Sequence, residues 1–81
     1  MSIRYRKHLI LPTINQDEAT GAWFGSAHIQ FTEKLKFQNI VIQGRGIFWT
    51  KTEAEKHLIR EAKEWIDSRL RSEHDLNGSG G

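Results

Sequence analysis

The stretch from Thr50 to Leu70, TKTEAEKHLIREAKEWIDSRL, decides the fold. Ala54, Leu58, Ala62, Trp65, Ile66, Arg69 and Leu70 recur at the spacing of one helical face, and Glu55, Lys56, Arg60, Glu61, Lys63, Glu64 and Asp67 fill the remaining surface. Thr50 and Thr52 are both candidate N-caps, because each has a glutamate three residues later, Glu53 and Glu55, in the spacing of a capping box. Charge pairing adds little: Asp67 with Arg71 has the favoured acid-first order, Arg60 with Glu64 and Lys63 with Asp67 have the weaker reverse order, and Lys56 repels Arg60. Packing of the apolar stripe must therefore hold this helix, and a helix with one apolar stripe needs a surface to lie on.

The residues before it supply that surface as a sheet. From Ile3 to Ile14 the chain is rich in β-branched and aromatic residues, with Pro12 near its end, and reads as one strand. Asn15, Asp17, Thr20 and Gly21 give the next segment turn chemistry, so a second strand over Ala22–Thr32 folds back on the first. Facing His8 with His28, Leu9 with Ala27 and Tyr5 with Phe31 sorts the side chains. Tyr5, Leu9, Leu11, Trp23, Ala27, Ile29 and Phe31 share an apolar side, with Lys7 as the exception that snorkels outward. Arg4, Arg6, His8, Ser26, His28, Gln30 and Thr32 share a polar one. After the charged connection Glu33–Lys36, residues 37–43 form a third strand around Ile40, Val41 and Ile42. Gly44-Arg45-Gly46 marks a bulge or tight turn, after which Ile47, Phe48 and Trp49 either continue that strand or form a fourth. The expectation is an α+β fold: an antiparallel sheet of three to four strands with one C-terminal helix packed on one face. Residues 1–72 make the single domain, and 73–81, polar and glycine-rich, make a disordered tail.

Size and composition narrow the function classes. The chain has 81 residues, and roughly 70 of them must build the core, so the core is thin and pairing with a second copy is a natural source of further stability. It has no cysteine, which removes disulfides, thiolate metal sites and thiol chemistry. The N-terminal residues carry charge without an apolar run long enough for a signal peptide or a membrane span, and the expected location is cytoplasmic. A net charge of +2 is mild. Its placement says more, because Arg4, Arg6, Lys7 and His8 crowd into five consecutive positions.

The strand-strand-strand-helix order, a glycine near the end of the sheet, Thr52-Glu53-Ala54-Glu55 opening the helix and Trp65-Ile66-Asp67 closing it together resemble a group of short uncharacterised bacterial proteins. More loosely, the chain resembles antitoxin domains of the HicB type, whose sheet leads into a helix beginning with a Thr and a Glu-Ala pair. The aspartate-leucine-proline-glycine stretch typical of that family is replaced here by Gly46-Ile47-Phe48-Trp49.

Three sets of residues are candidates for function. His8 and His28, side by side in the expected register with Ser26 and Gln30 nearby, have the chemistry to bind a metal or move protons. Neither strand carries a carboxylate at a matching position, so the pair lacks both a third ligand and an orienting partner. Arg4, Arg6, His8, His28 and Gln30, joined by Arg45, form a basic open sheet face suited to nucleic acid, with Phe24, Phe37 or Phe48 as stacking surfaces. Three tryptophans and four phenylalanines exceed the needs of a thin core, which marks Phe24, Phe48 and Trp49 as anchors for a partner or a second copy. Gly44-Arg45-Gly46 lacks the third glycine and the downstream acid of a dinucleotide-binding loop. The reading is of a non-enzymatic binding or protein-interaction module without cofactor or metal, partnered by itself or another protein. Nucleic acid is the alternative partner, and no membrane role is expected.

Overall fold

A computed structural model describes residues 2–79, with side chains described as far as Ser72. Four strands, β1 (Ile3–Tyr5), β2 (His8–Gln16), β3 (Trp23–Glu33) and β4 (Lys36–Gln43), form one antiparallel sheet in the order β1-β2-β3-β4. The single helix α1 (Lys51–Ser79) lies across β2 and β3 on one face, so the α+β architecture is as expected. Thr50 is the N-cap: its Oγ1 accepts the Glu53 N–H at 3.1 Å, which decides between the two candidate threonines. The backbone of α1 is described through Ser79. The helix thus runs over residues 73–79 of the tail expected at 73–81, and residues 80 and 81 lie outside the described residues.

The fourth strand comes from an unexpected place. Ile3–Ile14 is not one strand but two, folded at Arg6 and Lys7, whose positive φ angles of 48° and 66° make a two-residue type I′ hairpin. The β3–β4 connection repeats the device at Lys34 and Leu35, with φ of 50° and 67°. Ile47–Trp49 contributes only one antiparallel bridge, in which the Trp23 N–H donates to the Phe48 carbonyl at 2.6 Å and the Phe48 N–H to the Trp23 carbonyl at 2.9 Å.

Splitting the first strand also shifts the register. Leu9 pairs with Gln30, Leu11 with His28 and Ile10 with Ile29, three residues from the expected alignment. An odd shift turns every β2 side chain to the other face. Leu9 and Leu11, expected in the core, therefore lie half-buried on the open face, while His8, expected on the open face, is only 4% exposed beneath the helix. The β2–β3 loop fixes this alignment: the Asp17 N–H donates to the Ala22 carbonyl at 2.8 Å, and Asp17 Oδ1 accepts the Ala19 N–H at 3.0 Å.

The core is built from Ile10, Ala27, Ile29, Phe31, Ala62 and Ile66, with Ile3, Tyr5, Ile40, Ile42, Trp65 and Leu70 packed around it. Ala54, Leu58, Ala62 and Ile66, one every four residues, form the buried line of α1. Leu35 is fully exposed and gains nothing from packing, yet holds a left-handed backbone. Leu35→Gly is expected to relieve that strain and stabilise the fold by about 1 kcal/mol, raising Tm by about 4–8 °C in a thermal melt. An unchanged or lower Tm would mean that the turn is not strained.

Candidate interaction surfaces

The face of the sheet away from α1 is open. Its rows, read across the strands from the registers, are Thr32–Phe37, Arg4–Leu9–Gln30–Asn39, Leu11–His28–Val41, Thr13–Ser26–Gln43 and Asn15–Phe24. Exposed aromatic rings stand at both ends, Phe37 at 67% and Phe24 at 42% exposure, and Val41 is exposed between them.

The two outer edges of the sheet differ. β1 covers β2 only as far as Ile10, and beyond it Pro12, which has no N–H, sits on the uncovered edge. In β4, Lys36 closes the hairpin with Glu33 and the Gly44 N–H donates to the Gly25 carbonyl, so the even-numbered residues bond to β3. Phe37, Asn39, Val41 and Gln43 therefore turn their backbone groups outward. Beside this edge runs a groove of about 710 Å³ between β4 and α1, lined by Ile42, Gly44, Arg45, Glu61, Glu64 and Trp65, among others.

At the N-terminal hairpin, two polar clusters tie the sheet to the helix. Tyr5 Oη donates to both Asp67 oxygens at 2.9 and 3.0 Å, and Arg6 Nη1 pairs with Asp67 Oδ1 at 2.7 Å. The Arg6 guanidinium, then the Tyr5 hydroxyl, hold the Asp67 carboxyl below its ordinary value, while the bond to Asp67 raises the Tyr5 phenol. Next to it Arg69 lies over the Phe31 ring at 4.3 Å, pairs with Glu33 at 2.8 Å and sits 3.5 Å from His8 Nε2. The Nδ1 of His8 is 2.7 Å from the Arg6 carbonyl; that oxygen only accepts and Arg69 only donates, so the network assigns the proton to Nδ1.

Because the Asp67 carboxyl is depressed in the folded state, its contribution to stability is present above the unfolded value of about 4 and is lost as pH falls through the folded one. Asp67→Asn is expected to lower Tm at neutral pH and to converge on the wild type in acid. A gap that does not change with pH would assign the effect to packing instead of charge.

Of the residues anticipated for nucleic acid, Arg4, His28 and Gln30 share the open face. His8 is under the helix, Arg6 is at the hairpin tip bound to Asp67, and Arg45 is in the loop after β4, where it lines the groove. The histidine pair does not form, since His8 and His28 are on opposite faces. Among the described residues no group of three or more His, Asp or Glu side chains stands close enough to hold a metal ion. No helix of the described residues is long and apolar enough to cross a membrane. Of the expected anchors, Phe24 is on the open face, and Trp49 is 67% exposed with Ile47 beside it. Phe48 instead turns to the helix, its ring 4.8 Å from that of His57.

Lys7, Leu9 and Leu11, read as lying on the core side, and Val41, given no face, are among the surface residues that the sequence pattern did not assign to the open side. An earlier sign of the hairpin at Arg6 would have revealed the first three. No protein-family model matches the chain, and no similar curated protein or solved structure was found.

Proposed function

We propose that this domain is a non-enzymatic protein-interaction module that adds a partner strand to the free edge of β4, and that a second copy of the chain is the partner this edge fits. The carrying observation is that the edge is unguarded. Sheet edges are normally blunted by charge, proline, a bulge or a cover. β2 has Pro12 on its outer edge, whereas β4 is eight residues long with Lys36 as its only charge and no proline.

Self-pairing also satisfies symmetry. A two-fold axis normal to the sheet pairs residues of the same face, for instance Ile40 with Ile40 and Asn39 with Val41, and brings no like charges together. Both helices then stand on one side, flanking a joined groove.

Sedimentation equilibrium from micromolar to millimolar concentration tests this reading. A monomer–dimer transition is expected, with hydrogen-exchange protection appearing at Phe37, Asn39, Val41 and Gln43 as the dimer forms. Val41→Lys, a change at an exposed side chain, places a charge on the edge and should leave a folded monomer. A wild-type chain that stays monomeric at millimolar concentration, with those four amides unprotected, would sink it.

A further inference from the structure

We propose that the open face of the sheet binds single-stranded RNA, with Arg4 and Lys7 holding phosphates and Phe37 stacking a base. Charge is segregated in this fold. The five rows of the open face contain no Asp or Glu. Before the helix, the acids are Asp17 and Glu18 in the β2–β3 loop and Glu33, which pairs with Arg69 of α1; all others are on α1. A polyanion approaching the open face therefore meets no carboxylate.

The cations concentrate at one end. Arg4, Lys7, Leu9, Gln30, Thr32 and Phe37, with the buried His8 and Phe31 at its inner end, line a hollow of about 480 Å³, and the adjoining β3–β4 turn adds Lys34 and Lys36. Among the described residues no ion pair occupies Arg4 or Lys7, in contrast to Arg6 and Arg69, which are bound to Asp67 and Glu33. Phe37 stands beside these charges with most of its ring in water.

The rest of the face suits an unstacked strand. Phe24 provides a second ring, eight residues along β3 from the row of Phe37, roughly 27 Å away at the rise of an extended chain. Between the rings lie Ser26, His28, Gln30, Asn39 and Gln43, whose donors and acceptors match base edges and 2′-hydroxyls. An open sheet face with rings at its ends offers nothing to insert into a duplex groove, but each ring can stack a splayed base, and stacking tolerates any sequence. The 2′-hydroxyl favours RNA over DNA, because the hydroxyl and amide side chains of this face have few partners within the protein.

This site does not rest on the self-pairing of β4. The edge reading is decided by the protein's association with itself, and this one by binding to an added oligonucleotide.

Fluorescence anisotropy with a labelled single-stranded RNA of mixed sequence, about 12 nucleotides long, tests it, with DNA of the same sequence as comparison. RNA binding is expected to weaken as salt rises from about 50 to 200 mM. Phe37→Ala should weaken it about tenfold, and the double change Arg4→Ala with Lys7→Ala should reduce the steepness of the log–log salt plot by about 1.4. The helix change Lys51→Ala with Lys56→Ala removes the same net charge and should leave both quantities as in the wild type. Amide shift mapping on the wild-type chain should move Arg4, His28, Gln30 and Phe37 and leave α1 unmoved, a readout that needs no variant to fold. No binding at low salt, equal losses in the helix variant, shifts confined to α1, or tighter binding of the DNA strand would each overturn the assignment.

Discussion

Leu58→Ala is expected to remove about 2–5 kcal/mol of stability, which equals or exceeds the few kcal/mol that a core of this size supplies. Leu58 is 1% exposed and is the largest side chain on the first half of the buried line of α1. Its neighbours on that line, Ala54 and Ala62, are too small to close over a void. The side chain reaches the sheet at two glycines: Gly25 of β3 and Gly44 after β4 leave a dimple, and its two methyl groups lie against them. Truncation would leave that dimple empty from both sides. Urea unfolding followed by tryptophan fluorescence should show a transition moved to near zero denaturant. A variant that keeps most of the wild-type midpoint would mean that helix and sheet can close the gap.

Filling the dimple from the other side should be nearly as damaging. A methyl group on Gly44 would stand 2.6 Å from the Gly25 carbonyl oxygen and 2.7 Å from Leu58 Cδ2. A methyl group on Gly25 would run into the Thr13 carbonyl oxygen and stand 3.1 Å from Leu58 Cδ1. In each case one obstacle is backbone and cannot rotate away. Gly25→Ala is expected to cost about 3 kcal/mol, the upper end for overpacking, and Gly44→Ala somewhat less, because its backbone obstacle stands farther off than the Thr13 carbonyl does from Gly25.

Leu58 is shared between the two changes, so they should not add. In the Leu58→Ala background one of the two contacts at Gly44 disappears, and Gly44→Ala should cost about 1 kcal/mol less there than in the wild type. Those measurements require a chain that still folds, which a stabilising change at Leu35 would help to supply. If Gly44→Ala leaves stability unchanged in the wild type, the close approach of Leu58 to the sheet is wrong.

The helix was the most legible element, because its evidence is local: a residue every four positions faces the core, and a threonine with a glutamate three residues on marks the start. The alternation of β3 was legible for the same reason, with Ala27, Ile29 and Phe31 buried as read. The hairpin at Arg6–Lys7 was not. Type I′ turns are announced by Asn-Gly or Asp-Gly, and two cations between β-formers announce nothing. Missing that turn put Leu9 and Leu11 inside and His8 outside. It also credited the open face with Arg6, whose guanidinium is bound to Asp67.

The candidate surfaces inherit this division. Arg4, His28 and Gln30 fell on the open face in either register, since β1 and β3 kept their parity. The hollow joining Lys7 to Phe37 and the outward-facing backbone of β4 follow only from how the strands are paired.

The order of residues alone therefore determined an α+β chain with a capped amphipathic helix and the inward side of β3, because those properties come from periods of 3.6 and 2 within single segments. The tertiary structure alone decided which strand lies beside which, in what register, and hence that Leu58 enters a glycine dimple, that His8 is buried and that β4 has an open edge. The physical reason is that strand pairing joins residues distant in the chain, and an odd slip in that pairing exchanges inside for outside without altering a single local preference.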